Sequence, residues 1–598
     1  MKNKKNTIET SSENIKKNRF ILLSIIAIGI GFIYSYKLKW VGDDIFIGFR
    51  YIQNFLAGNG LVYNPGERVE GFTDFLWLML VSFFANLHFD PVHTAQYLGI
   101  MSSLGTLVIS SLMVYKTSKR QNLFLIPFVT FALALNYDYN VWATGGLETS
   151  FYTFLLTAGF YVSFFSDLSQ QKRLLLSGLF LSLAMMTRPD ALLITFGVNG
   201  LFILHLLLQK IQIKKIISLL LFLNAALVLI YAPYFLWRYN YYGFIFPNTY
   251  YDKLGNESLF SKGFYYLWLY FKPHFTSFFI FILPPIVLFS LMKQKSMEKI
   301  KTYLDSRQNA AFVTAIIIVY AYLIVFVAKV GGDFMHARFI IPMTPFIYFI
   351  IFYSALQLPF LSIKNVNILF IFLLLCCFPE TSIRSELFKA PDKNGRIITT
   401  LNRDVADERW AYTTYLPIEN DMKIGKALHT AFQGIDAKML VRGGQACLAY
   451  YANFNYAQEY HGLTDTLIAH SKIKARGRIG HEKHATYDYL QNKGIHFLFN
   501  RTALSKDQYK YAQLDIPPYR VNVEIITYDV KIINQLQKRF GENFQYTNFE
   551  SYLDYYIQAE LPKVPKDTLK KAYESFYPYY FKHNEDKARE SKFLDALK

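Results

Sequence analysis

Apolar runs of about 20 residues, the length an α-helix needs to cross roughly 30 Å of hydrocarbon, recur through the first 380 positions of this 598-residue sequence. Counted by that rule they predict spans near 20–37, 95–115, 121–138, 148–166, 173–189, 190–208, 215–237, 265–292, 310–329, 338–357 and 363–380. With 53% hydrophobic and 18% aromatic residues, a soluble globular protein is excluded. The run 72–89, FTDFLWLMLVSFFANLHF, is also long enough to cross, but counting it would reverse the side of every later loop. Read as a helix lying on the outer membrane surface, it leaves the basic loops KTSKR, QQKR, QKIQIKK, MKQKSMEKIK and SIKN all cytoplasmic. The span number is then odd, and the C-terminus is exported.

Residues 1–19 are polar and basic, and the apolar run behind them has no small-residue cleavage site before Gly42. This predicts an uncleaved anchor with a cytoplasmic N-terminus. The net charge of +19 comes from Lys and Arg beside apolar spans, which accounts for it without a nucleic-acid partner. Three cysteines, Cys376, Cys377 and Cys447, supply neither a disulfide framework nor a thiolate metal site. The expected fold class is a polytopic α-helical membrane protein with a soluble α+β or mixed C-terminal domain. Its divisions are 1–19, a membrane domain 20–380 with a first outer loop at 38–94, and an exported domain 381–598. No internal repeat, P-loop or dinucleotide fingerprint is present.

The outer loops hold the grouped polar residues. Asp43 and Asp44 follow the first span at a membrane boundary, where charges are costly and persist when chemistry needs them. Consecutive helical residues point about 100° apart, so one acid can cap the helix that follows while the other serves as a general base. Arg50 lies on that helix, and the turn-rich stretch Gly58–Gly71 adds Asn64, Glu67, Arg68 and Glu70 as candidate binding residues. Glu148 opens one span. Arg188 and Asp190 flank Pro189 at an interface, as a turn with an ion pair or as a phosphate-binding arginine. Asn248 and Lys253 belong to the aromatic loop 241–253, whose tyrosines form either an interfacial belt or a wall for a sugar face. Asp333, His336 and Arg338 lie in GGDFMHARF. In the tail, Asp465 of HGLTD and His481 and Lys483 of RIGHEKH are the densest polar motifs. No metal site is assigned; a divalent cation, Mg or Mn, stays open as a cofactor.

The segments DDIFIGFRY, GNGLVYNPGERVEGFTDFLW, GGLETSFYTFLL, TRPDALL, YYG…PNTYYDK, GGDFMHARFIIP, GLTD and RIGHEKH together resemble the GT-C superfamily of polyprenyl-phosphate-sugar-dependent glycosyltransferases. Within it they are similar to the terminal β-(1→2) arabinofuranosyltransferase family and its proteobacterial relatives, from about residue 40 to 490. The resemblance implies many membrane helices, juxtamembrane helices in the first outer loop and an exported C-terminal domain. It also implies a polyprenyl-phosphate sugar donor, an exported cell-envelope glycan acceptor such as a lipopolysaccharide, and a catalytic acid at Asp43 or Asp44. The sugar stays open between arabinofuranose and another pentose or hexose. The rival reading is a transporter or flippase of lipid-linked sugars, for which ionisable groups deep inside spans and a repeat are expected.

Overall fold

A computed structural model describes residues 2–120, 125–253, 258–292, 297–358, 360–391, 397–399, 401–415 and 417–598. The first four positions of the expected 121–138 span and part of the basic loop at 292–301 lie outside the described residues. The chain divides into two units. One comprises Met1–Gly42, Thr73–Gly243 and Asn256–Leu416; the other comprises Asp43–Phe72, Phe244–Gly255 and Pro417–Lys598. This partition departs from the expected boundary at 381 in two ways. Residues 381–416 group with the helices, and the loop bearing Asp43 and Asp44 groups with the tail, to which its buried polar side chains are hydrogen-bonded.

In the helical unit, six helices among the described residues are long and apolar enough to cross a membrane: Asn14–Lys37, Pro91–Ser118, Ala191–Leu208, Ile213–Tyr242, Arg307–Ala328 and Ile363–Phe388. The other five expected spans are shorter, broken or less apolar. Phe128–Leu135 and Tyr137–Trp142 stand in place of 121–138, divided at Asn136, whose side chain accepts the Tyr139 N–H at 2.7 Å and restarts the helix. The 265–292 run is split into Phe260–Phe271, Phe275–Phe278 and Leu283–Met292, with Pro273, Pro284 and Pro285 at the breaks. Thr149–Phe164, Gln170–Thr187 and Thr344–Gln357 are continuous. Phe75–Asn86 is 12 residues, about 18 Å by helical rise and short of a bilayer.

Close helix contacts are made by small residues. A β-carbon built on Gly178 of Gln170–Thr187 would stand 1.8 Å from the Leu223 carbonyl oxygen on Ile213–Ala226. Two long helices carry π-helical turns, Leu227–Tyr231 and Tyr322–Ala328. The second delivers Tyr322 to Asp190.

The other unit contains a six-stranded mixed sheet in the order 544–546, 511–516, 519–525, 497–499, 438–441, 456–459. Lys438–Val441 runs parallel to both of its neighbours, and the remaining pairings are antiparallel. Asp529 caps Val530–Phe540 by accepting the Lys531 and Ile532 N–H groups. The C-terminal stretch from Lys566 is helical and buries Phe576, Tyr579, Tyr580 and Phe593.

Because the atom that a side chain at 178 would strike is backbone, the neighbour has no rotamer to yield. Gly178→Val is expected to lower the thermal midpoint of the detergent-solubilised protein, at a cost of about 3 kcal/mol or more, at or above the usual range for overpacking. Fluorescence-monitored unfolding checks this, with Gly200→Val as the control because nothing lies within 4 Å of its built β-carbon.

Candidate active site

Within the helical unit the sequence candidates Glu148, Arg188, Asp190, Asp333 and Arg338 form one cluster. Glu148 Oε1 accepts from Arg188 Nη1 at 2.8 Å, and both of its oxygens accept from Arg338 Nη2 at 3.1 and 3.2 Å. Arg188 Nε donates to Asp190 Oδ1 at 2.9 Å, and Tyr322 donates its hydroxyl to Asp190 Oδ2 at 2.6 Å. Arg338 lies 3.7 Å from Asp333. The break at Arg188-Pro189 makes this possible, because Arg188 is extended between two helices. The charges largely offset one another, and Arg338 is the more exposed of the two arginines. Asp74 stands within electrostatic reach of Glu148 and Arg338.

His336 belongs to a second group, which the sequence reading did not find. His274 is fully buried with Nε2 2.8 Å from Asp138 and Nδ1 2.8 Å from Glu380. Arg384 donates to Asp138 at 2.8 Å and to Asp407 at 2.5 Å, and His336 Nδ1 lies 3.5 Å from Asp138. Asp138, His274 and Glu380 are ionisable residues inside or at the ends of apolar runs, which is the signal that could have identified them. They fix the helix breaks. Trp142 Nε1 donates to the His336 carbonyl at 2.9 Å, so this network also anchors the strand of chain that bears Asp333 and Arg338.

In the other unit the two adjacent acids diverge. Asp43 is 2% exposed, and its carboxylate accepts the N–H groups of Ala446 and Cys447, each at 2.9 Å, at the start of Ala446–Ala452. Burial pushes its pKa up to about 7 against those two bonds. Asp44 is half-buried at the N-cap position of Ile45–Leu56, where its side chain makes no cap bond. The carboxylates of Asp43 and Glu459 both feel the charge of Asp44.

Arg50 is buried and spends its donors on the carbonyls of Tyr63 and Phe454 and on Asn64 Oδ1. Glu67 accepts from Tyr456, and Asp465 accepts from Tyr489, Lys493 and Gln458; Lys493 is 3.6 Å from Glu67. Arg68 is exposed and Glu70 buried. These groups hold the loop to the sheet. Asn248 accepts no such role by charge: its N–H donates to the Glu70 carbonyl, and its amide donates to the carbonyls of Gly462 and Leu463 at 2.8 and 3.0 Å. It thereby joins three separate segments of this unit.

Around that junction lie Asp252, Lys253, Glu459, His461, His481 and Lys483. Glu459, absent from the sequence reading, accepts the N–H groups of His461, Gly462 and Leu463, and burial raises its pKa to about 7. The His461 and His481 rings are 4.8 Å apart; burial lowers their pKa values to about 4 and about 3, so both are neutral imidazoles. Lys483 donates to the carbonyls of Tyr251 and Ala469. Lys253 packs against Gly480, where a built β-carbon would lie 3.2 Å from its Cε. Among the described residues no three His, Cys, Asp or Glu side chains converge as metal ligands.

Asp252 gives a pH signature. Both carboxylate oxygens are buried without a hydrogen-bond partner, and burial raises the pKa from 3.8 to about 8. The folded state keeps a proton that the unfolded chain has lost, so this stabilisation is complete below about pH 4 and disappears as the pH rises through about 8. Asn does not titrate. The thermal midpoint of Asp252→Asn minus that of wild type is therefore expected to grow between about pH 5 and pH 8 and then level off. A difference that is flat across this window contradicts a protonated Asp252.

No protein-family model matches the chain. It is 25% identical over 346 residues to the terminal β-(1→2)-arabinofuranosyltransferase of Corynebacterium glutamicum, covering 53% of this chain and 48% of that protein. Against the Mycobacterium tuberculosis enzyme of the same name it is 43% identical over 60 residues, 10% of each. The chain thus spans about half the length, or less, of the curated relatives it matches. Among solved structures, ArnT from Cupriavidus metallidurans, crystallised with undecaprenyl phosphate, superposes with a TM-score of 0.50 at 12% identity, covering 84% of this chain and 97% of that one. The chain is a membrane protein with the fold of ArnT, and over 346 residues its sequence is similar to a terminal β-(1→2)-arabinofuranosyltransferase.

Proposed function

We propose that this protein is a membrane glycosyltransferase that moves a sugar from a polyprenyl-phosphate donor to a cell-envelope glycan, with Asp44 as the general base. The sequence similarity to arabinofuranosyltransferases and the fold shared with ArnT support the reaction class. The observation that carries the assignment of the base is the division of labour between the adjacent acids. Asp43 is buried and bound to two backbone N–H groups, whereas Asp44 retains exposed surface from which to meet a substrate.

In the reaction, Asp44 takes the proton of an acceptor hydroxyl as that oxygen attacks the anomeric carbon. The bond from that carbon to the phosphate oxygen breaks, and the phosphate leaves with the electron pair. An arginine stabilises the charge that grows on it. The donor carries its own leaving group, so no nucleotide is needed on the side where transfer occurs. The proposed topology has a cytoplasmic N-terminus and the sheet-bearing unit on the outer face, as the distribution of basic loops favours. The sugar is arabinofuranose or another pentose or hexose, and the ArnT precedent makes undecaprenyl phosphate the first carrier to try.

The test is sugar transfer by membranes holding equal amounts of wild type, Asp44→Asn or Asp43→Asn, supplied with polyprenyl-phosphate sugars and an envelope-glycan extract. Asp44→Asn is expected to reduce transfer by about 100-fold or more, the usual scale for a general base, with the protein still folded in the membrane. Asp43→Asn can satisfy only one of the two N–H donors and is expected to cost about 1–3 kcal/mol of stability, with transfer by the folded fraction retained. Wild-type transfer by Asp44→Asn rejects the assignment.

A further inference from the structure

Neither charged cluster uses an apolar cavity that lies within the helical unit. It has a volume of about 320 Å³ and lies among Thr149–Phe164, Gln170–Thr187, Ala191–Leu208 and Arg307–Ala321. Its wall follows Ala191–Leu208 from Ile194 to Leu208 and Arg307–Ala321 from Arg307 to Val319, a length of about 20 Å by helical rise. Leucine, isoleucine, valine and phenylalanine supply most of the lining. Leu204 and Ile317 line it and are also exposed on the outside of this unit, so the cavity opens sideways, where a membrane helix meets lipid.

One end is cationic. Arg173 Nη1 donates to the Ser163 carbonyl at 3.3 Å and Arg307 Nη1 to the Ser166 carbonyl at 2.9 Å. Those two acceptors are three residues apart, so the guanidinium groups are held side by side. Arg173 Nε is buried without a hydrogen-bond partner. Among the described residues neither arginine is paired with a carboxylate, and Asp305, the acid in the cavity wall, accepts from the Gln209 amide at 2.5 Å. Capping the end of Thr149–Phe164 would require one cation, not two repelling each other. An anionic oxygen group between them would accept charge-assisted bonds from both.

We infer that this cavity binds an anionic phospholipid, with one acyl chain along the apolar wall and its phosphate between Arg173 and Arg307. A chain of about 20 Å is the reach of one extended acyl chain within a bilayer about 30 Å thick. Exposed Lys172, Lys210, Lys214 and Lys215 surround this end in sequence, as expected where a protein faces anionic head groups. The charged cluster around Glu148 takes in Arg188, at the opposite end of Gln170–Thr187 from Arg173, so the cationic end of this cavity is separate from that cluster. The lipid site stands whether or not the chain transfers sugar.

The experiment is lipid extraction and mass spectrometry on the full chain purified in mild detergent, paired with unfolding in nanodiscs of phosphatidylglycerol or phosphatidylcholine. Wild type is expected to retain about one phosphatidylglycerol-type lipid per chain and to unfold at higher temperature in the anionic discs. R173Q/R307Q is expected to lose the retained lipid several-fold and to unfold alike in both discs. Leu201→Trp, which fills the cavity while keeping both arginines, is expected to lose the lipid too and guards against misfolding as the cause. Equal retention by all three proteins overturns the inference. So does the recovery of a neutral lipid, or of a polyprenyl phosphate in place of the phospholipid.

Discussion

Glu148 binds two arginines that come from points 40 and 190 residues further along the chain, and much of the helical unit is arranged so that it can. Removing this carboxylate would leave two nearly buried guanidinium groups sharing the remaining acids, and an unpaired buried charge costs more than the pair contributes. The break at Pro189, the π-helical turn that carries Tyr322 and the two glycines before Asp333 are the backbone means by which charges from four segments reach one another. The same constraint governs the group around His274. Each charge there meets another from a different segment, and the helices end where those contacts are made. Electrostatic pairing in an apolar surround therefore decides where this chain stops being helical.

What was legible in the sequence follows from the same physics. The long uninterrupted helices were readable because one periodic signal, apolar length, determines them. Spans 121–138 and 265–292 were misread because a count of apolar length passes over Asn136, Pro273, Pro284 and Pro285, while the partners of Asn136 and His274, more than 100 residues away, leave no local pattern at all. The candidates near Arg188 and Arg338 were found through position at span ends, and they do assemble. Arg50 illustrates the opposite case. It reads as a candidate binding residue, yet it donates to the carbonyl of Tyr63 and the Asn64 side chain on its own loop and to the carbonyl of Phe454. Glu459 lies in no motif and Asp252, though part of PNTYYDK, was not singled out; their character comes from burial, which composition does not record.

The pair Asp43-Asp44 shows why adjacency in sequence is poor evidence for shared chemistry. Two consecutive side chains at the start of a helix diverge by about 100°, so when one is driven into a protein interior the other is necessarily turned elsewhere. Here the inward acid meets the exposed N–H groups of Ala446 and Cys447, where a carboxylate is the natural complement to a helix start. Its negative charge is thereby committed to structure, and its raised pKa reports the cost of burial rather than preparation for proton transfer. Asp43 also fixes the backbone from which Asp44 projects. A structural acid can thus be as indispensable as the base beside it while touching no substrate, and loss of activity alone would not distinguish the two. Stability separates them, because the bonds that define Asp43 exist in the folded protein without any ligand.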